Sequence, residues 1–519
     1  MARSNRSTRL GFRFSLLLAA ALAAAASAWA GDVSVQLDSG AGFVVKGGGA
    51  GGIERLRVDE ATGNISRNGA LFVHTTGSSN LFVGPSAGNT FTSGNYNAAF
   101  GPSALASNTF GFHNTAVGSE ALRLNTTGTN NSAVGWNALR SNVGGSSNSA
   151  VGAGALFFNS GSDNSAFGSE AMFFNGGDSN SAFGRSALRT NTTGYSNSAV
   201  GMNALRNNTV GWSNTALGHS ALYSNSEGFH NVAVGVVALQ SNTTGSQNSA
   251  FGVSALRSNT TGGENSSFGY QALFSNQSSG KNSAFGLRAL QYSTGVGNTA
   301  VGRWALHLNT SGSYNVAVGM NAGENQNTGS NNIYLANSGV AGESGQIKIG
   351  RAGTHTAAFV AGIRGVTTVN ADAIPVLIDS AGQLGTMSSS RSVKKDINDM
   401  GDATDRLLDL RPVTFHYRQE QTLPGGREVP PEYGLIAEEV AEVFPDLVVY
   451  DEKGQPFTVK YHEIAPMLLN EMKKQQHSIA KLEAQQRTIE AQQREIAALT
   501  TRLARVETRV GGTPGEAQR

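Results

Sequence analysis

The chain has no cysteine, which excludes a disulfide framework, a thiol nucleophile and a lipid-bearing cysteine as a tether. Charged residues make up only 14% of the 519 residues, and 38 basic residues nearly balance 36 acidic ones. This balance gives no reason to expect nucleic acid or an anionic membrane surface as a partner. Lysine is also scarce: Lys46, Lys281 and Lys348 are the only lysines before Lys394.

The sequence offers little that would hold a cofactor or a metal ion. Its nine histidines are dispersed, without neighbours at the spacing of metal ligands. The chain contains 66 glycines, yet no Gly-rich phosphate-binding loop follows a strand. We therefore predict neither a cofactor nor a metal site.

Residues 1–30 have the pattern of a secretory signal peptide. A basic start precedes an alanine-rich apolar run, and Ala28-Trp29-Ala30 supplies the small residues of a cleavage site. The alternative is an uncleaved membrane anchor, but the run is short and weakly hydrophobic for crossing a bilayer. We predict a mature chain that begins at Gly31, is secreted or displayed at the cell surface, and has no integral membrane segment.

The middle of the chain is an internal repeat, typified by NSAVGMNALRNNTVGWS at residues 197–213. Each copy contains one glycine at the same place, and the spacing between these glycines is 17 residues except for three intervals of 16. These are Gly84, Gly101, Gly118, Gly135, Gly152, Gly168, Gly184, Gly201, Gly218, Gly235, Gly252, Gly269, Gly286, Gly302 and Gly319. No proline lies between Pro102 and Pro375, as expected where each copy donates backbone hydrogen bonds to the next.

Each copy contains two short apolar segments separated by turn-forming residues. Segments this short favour strands over a helix. We predict that each copy is one coil of a parallel β-solenoid or β-roll, in the order strand, turn, strand, turn. At a strand spacing of about 4.8 Å the array would be roughly 70 Å long. Alanine and glycine flank the valine or phenylalanine of each copy, so the small residues share one strand face. That face either contacts a neighbouring chain or lies in a tightly wound interior. The pattern over residues 80–336 resembles the head repeats of trimeric autotransporter adhesins, which implies a left-handed parallel β-roll in a homotrimer.

Two functions other than a purely structural one are conceivable for the array. A glycan-degrading β-helix enzyme needs clustered carboxylates, but the acidic residues between Gly84 and Gly319 are scattered: Glu120, Asp163, Glu170, Asp178, Glu227 and Glu264. Recurrent Asn-Thr-Thr tripeptides suggest a flat glycan-binding face. The alternative is that these residues only form the turns. A surface glycan or another host-surface ligand therefore stays open as a partner.

The composition changes after the array, where Pro, Lys and Glu become common. Residues 411–418 alternate like a strand, residues 433–448 have the pattern of a short helix stopped near Pro445, and residues 448–462 have that of a hairpin. From about residue 464 to 506 a long helix is expected, because apolar residues and glutamines alternate at steps of three and four, as in a coiled-coil seam. Such a seam predicts self-association.

Several motifs of this last part, in the same order, resemble the intramolecular chaperone domain of endosialidases and phage tail fibres. They are GQLGTMSSSRSVKKDI, RPVTFHYR, GLIAEEVAEVFPDLV and YHEIAPMLLNEM. The resemblance covers residues 385–500 and implies a module that trimerises and folds the fibre before it and then removes itself by serine–lysine self-cleavage. By the same resemblance, the nucleophile is Ser389, the base is Lys394 and the bond cut joins Ser388 to Ser389.

The residue types suit that chemistry. A serine hydroxyl needs a neighbouring base, and lysine acts as one when burial or nearby positive charge favours its neutral form. Arg391 and Lys395 are the candidates for that supporting charge. Members of the family often carry Asp and Arg where this chain has Ser390 and Ser392. A second pairing, Ser390 with Lys395, keeps the same five-residue spacing.

The sequence therefore predicts a secreted or surface fibre: a mainly β, homotrimeric solenoid followed by a small α+β chaperone module that ends in a long coiled-coil helix. The predicted divisions are a signal peptide (1–30), an N-terminal β region (31–80), the repeat array (81–336), a β-rich connector (337–387), the self-cleaving module (388–465), the coiled-coil helix (466–507) and a disordered tail (508–519). The alternatives are a structural or adhesive fibre whose terminal module trimerises without cutting, and a glycan-degrading enzyme.

Overall fold

In a computed structural model, the described residues are 34–38, 42–46, 54–363, 368–369, 372–418, 429–451 and 453–510. The predicted signal peptide and residues 511–519 of the predicted tail lie outside them. The chain divides after Ala361 into two compact units. No helix of the described residues is both long and apolar enough to cross a membrane.

The first unit begins with an antiparallel meander in which each strand pairs with the next. Its strands are Ser34–Asp38, Gly42–Lys46, Glu54–Val58, Ile65–Arg67 and Ala70–His74. The last of them pairs with the first strand of the repeat array, where His74 lies opposite Phe82. The His74 ring packs on the Phe82 ring at 4.9 Å between centroids, and its Nε2 lies 2.8 Å from the Ala87 carbonyl. The meander therefore covers the open end of the array, as terminal caps of repeat proteins do.

The array is a parallel β-solenoid with one three-residue strand per coil, each pairing in register with the next. The strands are Leu81–Val83, Ala98–Phe100, Thr115–Val117, Ser132–Val134, Ser149–Val151, Ser165–Phe167, Ser181–Phe183, Ser198–Val200, Thr215–Leu217, Val232–Val234, Ser249–Phe251, Ser266–Phe268, Ser283–Phe285, Thr299–Val301, Val316–Val318, Ile333–Leu335 and Ile347–Ile349. The predicted solenoid is confirmed. The small strand face is its interior: Ala199 is fully buried, whereas Val200 is 41% exposed.

The second apolar segment of the repeat does not form the predicted strand in most coils. Within residues 54–363 a second ladder exists at Phe158–Asn159, Phe174–Asn175 and Thr190–Asn191. These ladder residues follow the alanine and leucine (or methionine) of the repeat, which lie in a turn in these coils as in the others. Both side chains of that pair are buried, whereas neighbouring residues of a strand point to opposite faces. In a typical coil, Leu205 adopts φ +49°, which aims its side chain inward beside that of Ala204.

Buried asparagines close the turns of most coils. Nδ2 of Asn208 donates to Oδ1 of Asn191 in the preceding coil at 2.8 Å and to the Gly211 carbonyl at 2.9 Å. A second column uses the asparagine before each strand: the backbone N–H of Asn214 donates to Oδ1 of Asn197 at 3.0 Å. These columns satisfy buried backbone groups that the short strands leave without partners.

The second unit is a small α+β fold that ends in a long helix. Its strands pair as two-stranded ladders: Leu377–Ile378 with Leu384–Gly385, Val413–Phe415 with Glu432–Gly434, and Val448–Tyr450 with Pro456–Val459. Its described residues contain the 3₁₀ helices Arg391–Val393, Gly401–Asp409 and Pro445–Leu447 and the α-helices α1, Ala437–Val443, and α2, Tyr461–Val510. The buried core is Val440, Leu447, Val448 and Val459. This α+β unit, with its helix before Pro445, its hairpin and its long last helix, confirms the predicted fold class.

Candidate functional site

The segment from Ser388 to Lys395 forms a short capped turn. Ser390 precedes the 3₁₀ helix Arg391–Val393, and its Oγ accepts a hydrogen bond from the Ser392 backbone N–H at 3.3 Å and lies 2.8 Å from Ser392 Oγ. The Ser390 N–H donates to Ser388 Oγ at 3.3 Å. The turn ends where the Lys394 N–H donates to the Arg391 carbonyl at 3.3 Å. The two serines that depart from the family pattern are therefore bonded to each other.

The hydroxyl of Ser389 differs from those of its two neighbours. In residues 372–418, all of them described, Ser388 Oγ and Ser390 Oγ take part in hydrogen bonds, whereas Ser389 Oγ takes part in none. All five residues that the sequence singled out, Ser388, Ser389, Arg391, Lys394 and Lys395, are exposed to solvent in the single chain. No hydrogen bond joins Ser389 to Lys394 within this described stretch. Ser389 and Lys394 thus lie in one short turn, and both are exposed to solvent in the single chain.

A polar cluster fastens the next segment, Gly401–Asp409, to helix α2. The Thr404 hydroxyl donates to Glu471 at 2.5 Å and accepts from Asn470 Nδ2 at 2.6 Å. Lys474 Nζ lies 2.8 Å from Glu471 and also bonds Asp405. Thr404 and Glu471 are largely buried. The cluster therefore fixes the segment Gly401–Asp409, which lies a few residues after the candidate site, against helix α2.

The charges of this cluster stabilise each other. Hydrogen bonds from Lys474 and Thr404 lower the pKa of Glu471, and hydrogen bonds to Asp405 and Glu471 raise the pKa of Lys474. Sequence reasoning missed these residues because Thr404 and Glu471 are 67 positions apart. A lone threonine and one glutamate of a polar helix carry no sequence signal of such a contact.

A second ion pair holds helix α1 next to the strand Val413–Phe415. Arg411 binds Glu439 with both its Nε, at 3.1 Å from Oε2, and its NH2 group. This contact lowers the pKa of Glu439 and raises that of Arg411. The Tyr461 hydroxyl accepts a hydrogen bond from the Leu435 N–H at 3.0 Å and thereby ties the start of α2 to the segment before α1. The α1 region and the start of α2 are thus one packed body.

The outer part of helix α2 exposes the predicted seam. Ile479, Leu482, Ile489 and Ile496 are between 46% and 63% exposed in the single chain. Large apolar side chains spaced by three and four residues on a polar helix are typical of a surface that packs against other helices.

Two acidic residues of the array, Glu120 and Glu170, form ion pairs with arginines. Glu120 binds Arg140 at 2.5 Å and Arg123 at 3.4 Å, and Glu170 binds Arg189 at 2.9 Å. The hydrogen bond from Arg140 lowers the pKa of Glu120. A glycosidase acid needs the opposite, a carboxyl whose pKa is raised. These contacts favour a structural role for the array.

Comparison with known proteins identifies a family for part of the second unit. Residues 389–449 match the family described as the chaperone of endosialidase. The match begins at Ser389, the residue predicted to head the released fragment. No curated protein and no solved structure matches the chain. The family resemblance expected from the sequence motifs is thereby confirmed for these residues.

Proposed function

We propose that this protein is an exported, homotrimeric fibre whose C-terminal module is a self-removing intramolecular chaperone. The observation that carries the proposal is the family match at residues 389–449, in a chain whose preceding part is a long parallel solenoid that ends with the strand Ile347–Ile349. In this proposal the module joins three chains, starts their winding in register and then cuts the bond between Ser388 and Ser389. Export depends on the signal-like residues 1–30.

The repeats themselves explain why such a fibre needs a chaperone. Each coil buries its apolar residues only by stacking on its neighbours, so no single coil is stable alone. Neighbouring coils are nearly alike in sequence, and a slip of one whole coil between chains would therefore replace most contacts with similar ones. A module that trimerises through its own helix sets one starting register before the shafts pair.

The proposed cut uses only groups of this segment and water. The Ser389 hydroxyl gives its proton to the Lys394 amine while Oγ bonds to the carbonyl carbon of Ser388. The C–N bond then breaks, and the departing amine takes the proton back from Lys394. Water hydrolyses the resulting ester, which leaves a carboxylate on Ser388 and a free amine and hydroxyl on Ser389. The unengaged Ser389 hydroxyl supports this assignment over one that uses Ser390.

The exposure of the segment also bears on when the cut occurs. A lysine in contact with bulk water is poorly suited as a base, because water favours its charged form. We infer that Lys394 becomes active once assembly covers this turn, so that cutting follows trimerisation. Arg391 lies on the same turn and Lys395 follows it, and these are the residues proposed to support Lys394.

Expression of the mature chain from Gly31 tests the proposal. We expect a trimer in native mass spectrometry and two fragments in denaturing mass spectrometry, with Ser389 as the first residue of the smaller one. Ser389→Ala and Lys394→Ala should each leave the chain whole, whereas the matched variants Ser390→Ala and Lys395→Ala should still be cut. If the last two abolish cutting instead, the second pairing is correct. An intact wild-type trimer would support the non-cleaving fibre, and a monomer would overturn the fibre altogether.

A further inference from the structure

One side of the solenoid carries an unbroken apolar line, which we call the outer column. It consists of the third residue of each of the fifteen strands from Ala98–Phe100 to Ile333–Leu335, and twelve of its members are between 37% and 47% exposed. The members are Phe100, Val117, Val134, Val151, Phe167, Phe183, Val200, Leu217, Val234, Phe251, Phe268, Phe285, Val301, Val318 and Leu335. At a strand step of about 4.8 Å the outer column runs for roughly 70 Å.

The face that carries the outer column has no charge. The strands from Ala98–Phe100 to Ile333–Leu335 contain no charged residue, and their other outward position is mostly serine or threonine. The arginines and glutamates of the shaft, such as Glu120 and Arg140, lie in the turns instead. Loss of charge at the centre distinguishes a protein interface from ordinary surface.

The outer column is large enough for a stable interface. With roughly 60 Å² left exposed by each residue, it presents on the order of 900 Å², close to the ~800 Å² that each partner of a standard complex buries. Soluble monomers rarely leave a continuous apolar patch of this size in water.

The geometry of the outer column determines which kind of molecule can pack against it. A partner must present apolar groups at the same strand step along the whole shaft, and the same face of another copy does so. The phenylalanines also stack on each other: Phe251, Phe268 and Phe285 follow one another at 4.6 and 4.9 Å between ring centroids. Stacking covers the ring faces and leaves edges outward, which does not suit a sugar ring that packs on an aromatic face.

The long helix adds an independent reason to expect copies of this chain. The apolar seam of α2 lacks a partner among the described residues, and seams of this spacing pack against like helices. Copies joined through α2 hold their shafts at high effective concentration, since shaft and helix are one chain. We propose that the outer column is the surface through which three shafts pack in register about a common axis. This inference rests on the proposed trimer and specifies the face that builds it.

Single cysteines test the face, because the natural chain has none. Val200→Cys and Val301→Cys place a thiol in the outer column. Val210→Cys and Val143→Cys are the matched controls, since both valines are exposed, at 46% and 56%, but lie in turns. Each variant, purified as the assembled mature chain, is treated with a mild oxidant or a short bismaleimide and run on a denaturing gel.

We expect the outer-column variants to form covalently linked dimers roughly 100-fold faster than the controls, because facing thiols meet at millimolar effective concentration. Circular dichroism and native mass establish first that every variant is folded and assembled. If a trimer forms but the turn cysteines cross-link and the outer-column cysteines do not, the inference is wrong while the proposed function stands. If the mature chain is monomeric, the proposed trimer and this inference fail together.

Discussion

Nδ2 of Asn225 donates a hydrogen bond to Oδ1 of Asn208, its counterpart one coil earlier, at 2.9 Å, and a second one to the Gly228 carbonyl of its own turn. The same double contact recurs along a buried column of asparagines. Only an amide side chain of this length can accept from one neighbour while donating to two other oxygens. The column is therefore a continuous hydrogen-bonded spine inside the shaft.

Removal of one asparagine from this spine should loosen the coils around it. Asn208→Ala leaves the Asn191 amide oxygen without its donor, and Asn225 Nδ2 without one of its two acceptors, in a buried site. We expect a loss of about 2–4 kcal/mol in the free energy of local opening, measured by native-state hydrogen exchange. Asn207→Ala, at a less buried neighbour, should change it by less than about 0.5 kcal/mol. Equal effects of the two variants would contradict the role of the spine.

The spine has a gap that a single substitution should close. Ser293 occupies an asparagine position, and Oδ1 of Asn276 in the preceding coil has no hydrogen-bond partner. The coil of Asn159 has the same short turn and accommodates asparagine, which donates to Gly161 at 2.7 Å. Ser293→Asn should therefore stabilise the last coils by about 1 kcal/mol, seen as slower hydrogen exchange there. Ser258→Asn, at a position outside the spine, should have no such effect.

The repeated glycine is required by contact between coils. Gly201 has φ +128°, and a Cβ built on it would lie 2.6 Å from the Gly218 carbonyl oxygen of the next coil. Gly201→Ala should destabilise the shaft by at least about 2 kcal/mol, because it combines backbone strain with overlap. Gly144→Ala is the matched control, since its Cβ would meet only Thr127 Oγ1 at 3.4 Å. Thermal unfolding of both variants measures the difference, and similar midpoints would refute the explanation.

The architecture of the shaft was predictable because repeat length, turn residues and the lack of proline all act locally. The turn at the second apolar segment was not predictable in this way. Leucine is an unusual residue at positive φ, so Ala204-Leu205 suggested a strand, and only the burial of both side chains explains the turn. Stacking between coils outweighs the local preference of leucine.

Less of the candidate site could be derived from the residues alone. The spacing of Ser389 and Lys394 indicates a self-cleaving pair only through the family resemblance. The hydrogen bond between Thr404 and Glu471 depends on how the chain folds back over 67 residues, and no local pattern encodes it. The α2 seam was visible in the sequence because its spacing is local.

Acid should release the segment Gly401–Asp409 from helix α2. The pKa of Glu471 in the folded chain is held below its ordinary value of 4.5 by Lys474 and Thr404, so its contribution to stability is present above that pH and is lost as the pH falls through the folded value. Hydrogen-exchange protection of residues 401–409, measured in Ser389→Ala chains, should therefore drop in acid. Glu471→Gln should remove this pH dependence, and Glu483→Gln, at an exposed site on the same helix, should retain it.

The seam of α2 should decide whether refolded chains assemble. Ile489→Lys places a charge where the proposed trimer buries an apolar side chain, whereas Ala491→Lys adds the same charge two residues away, off the seam. In Ser389→Ala chains, which keep the helix attached, we expect Ile489→Lys to weaken trimerisation at least about 100-fold, equivalent to ~3 kcal/mol. Light scattering after dilution from denaturant gives the measurement. Trimer yields that match the Ala491→Lys control would show that α2 does not join the chains, and the register would then have to come from the shaft itself.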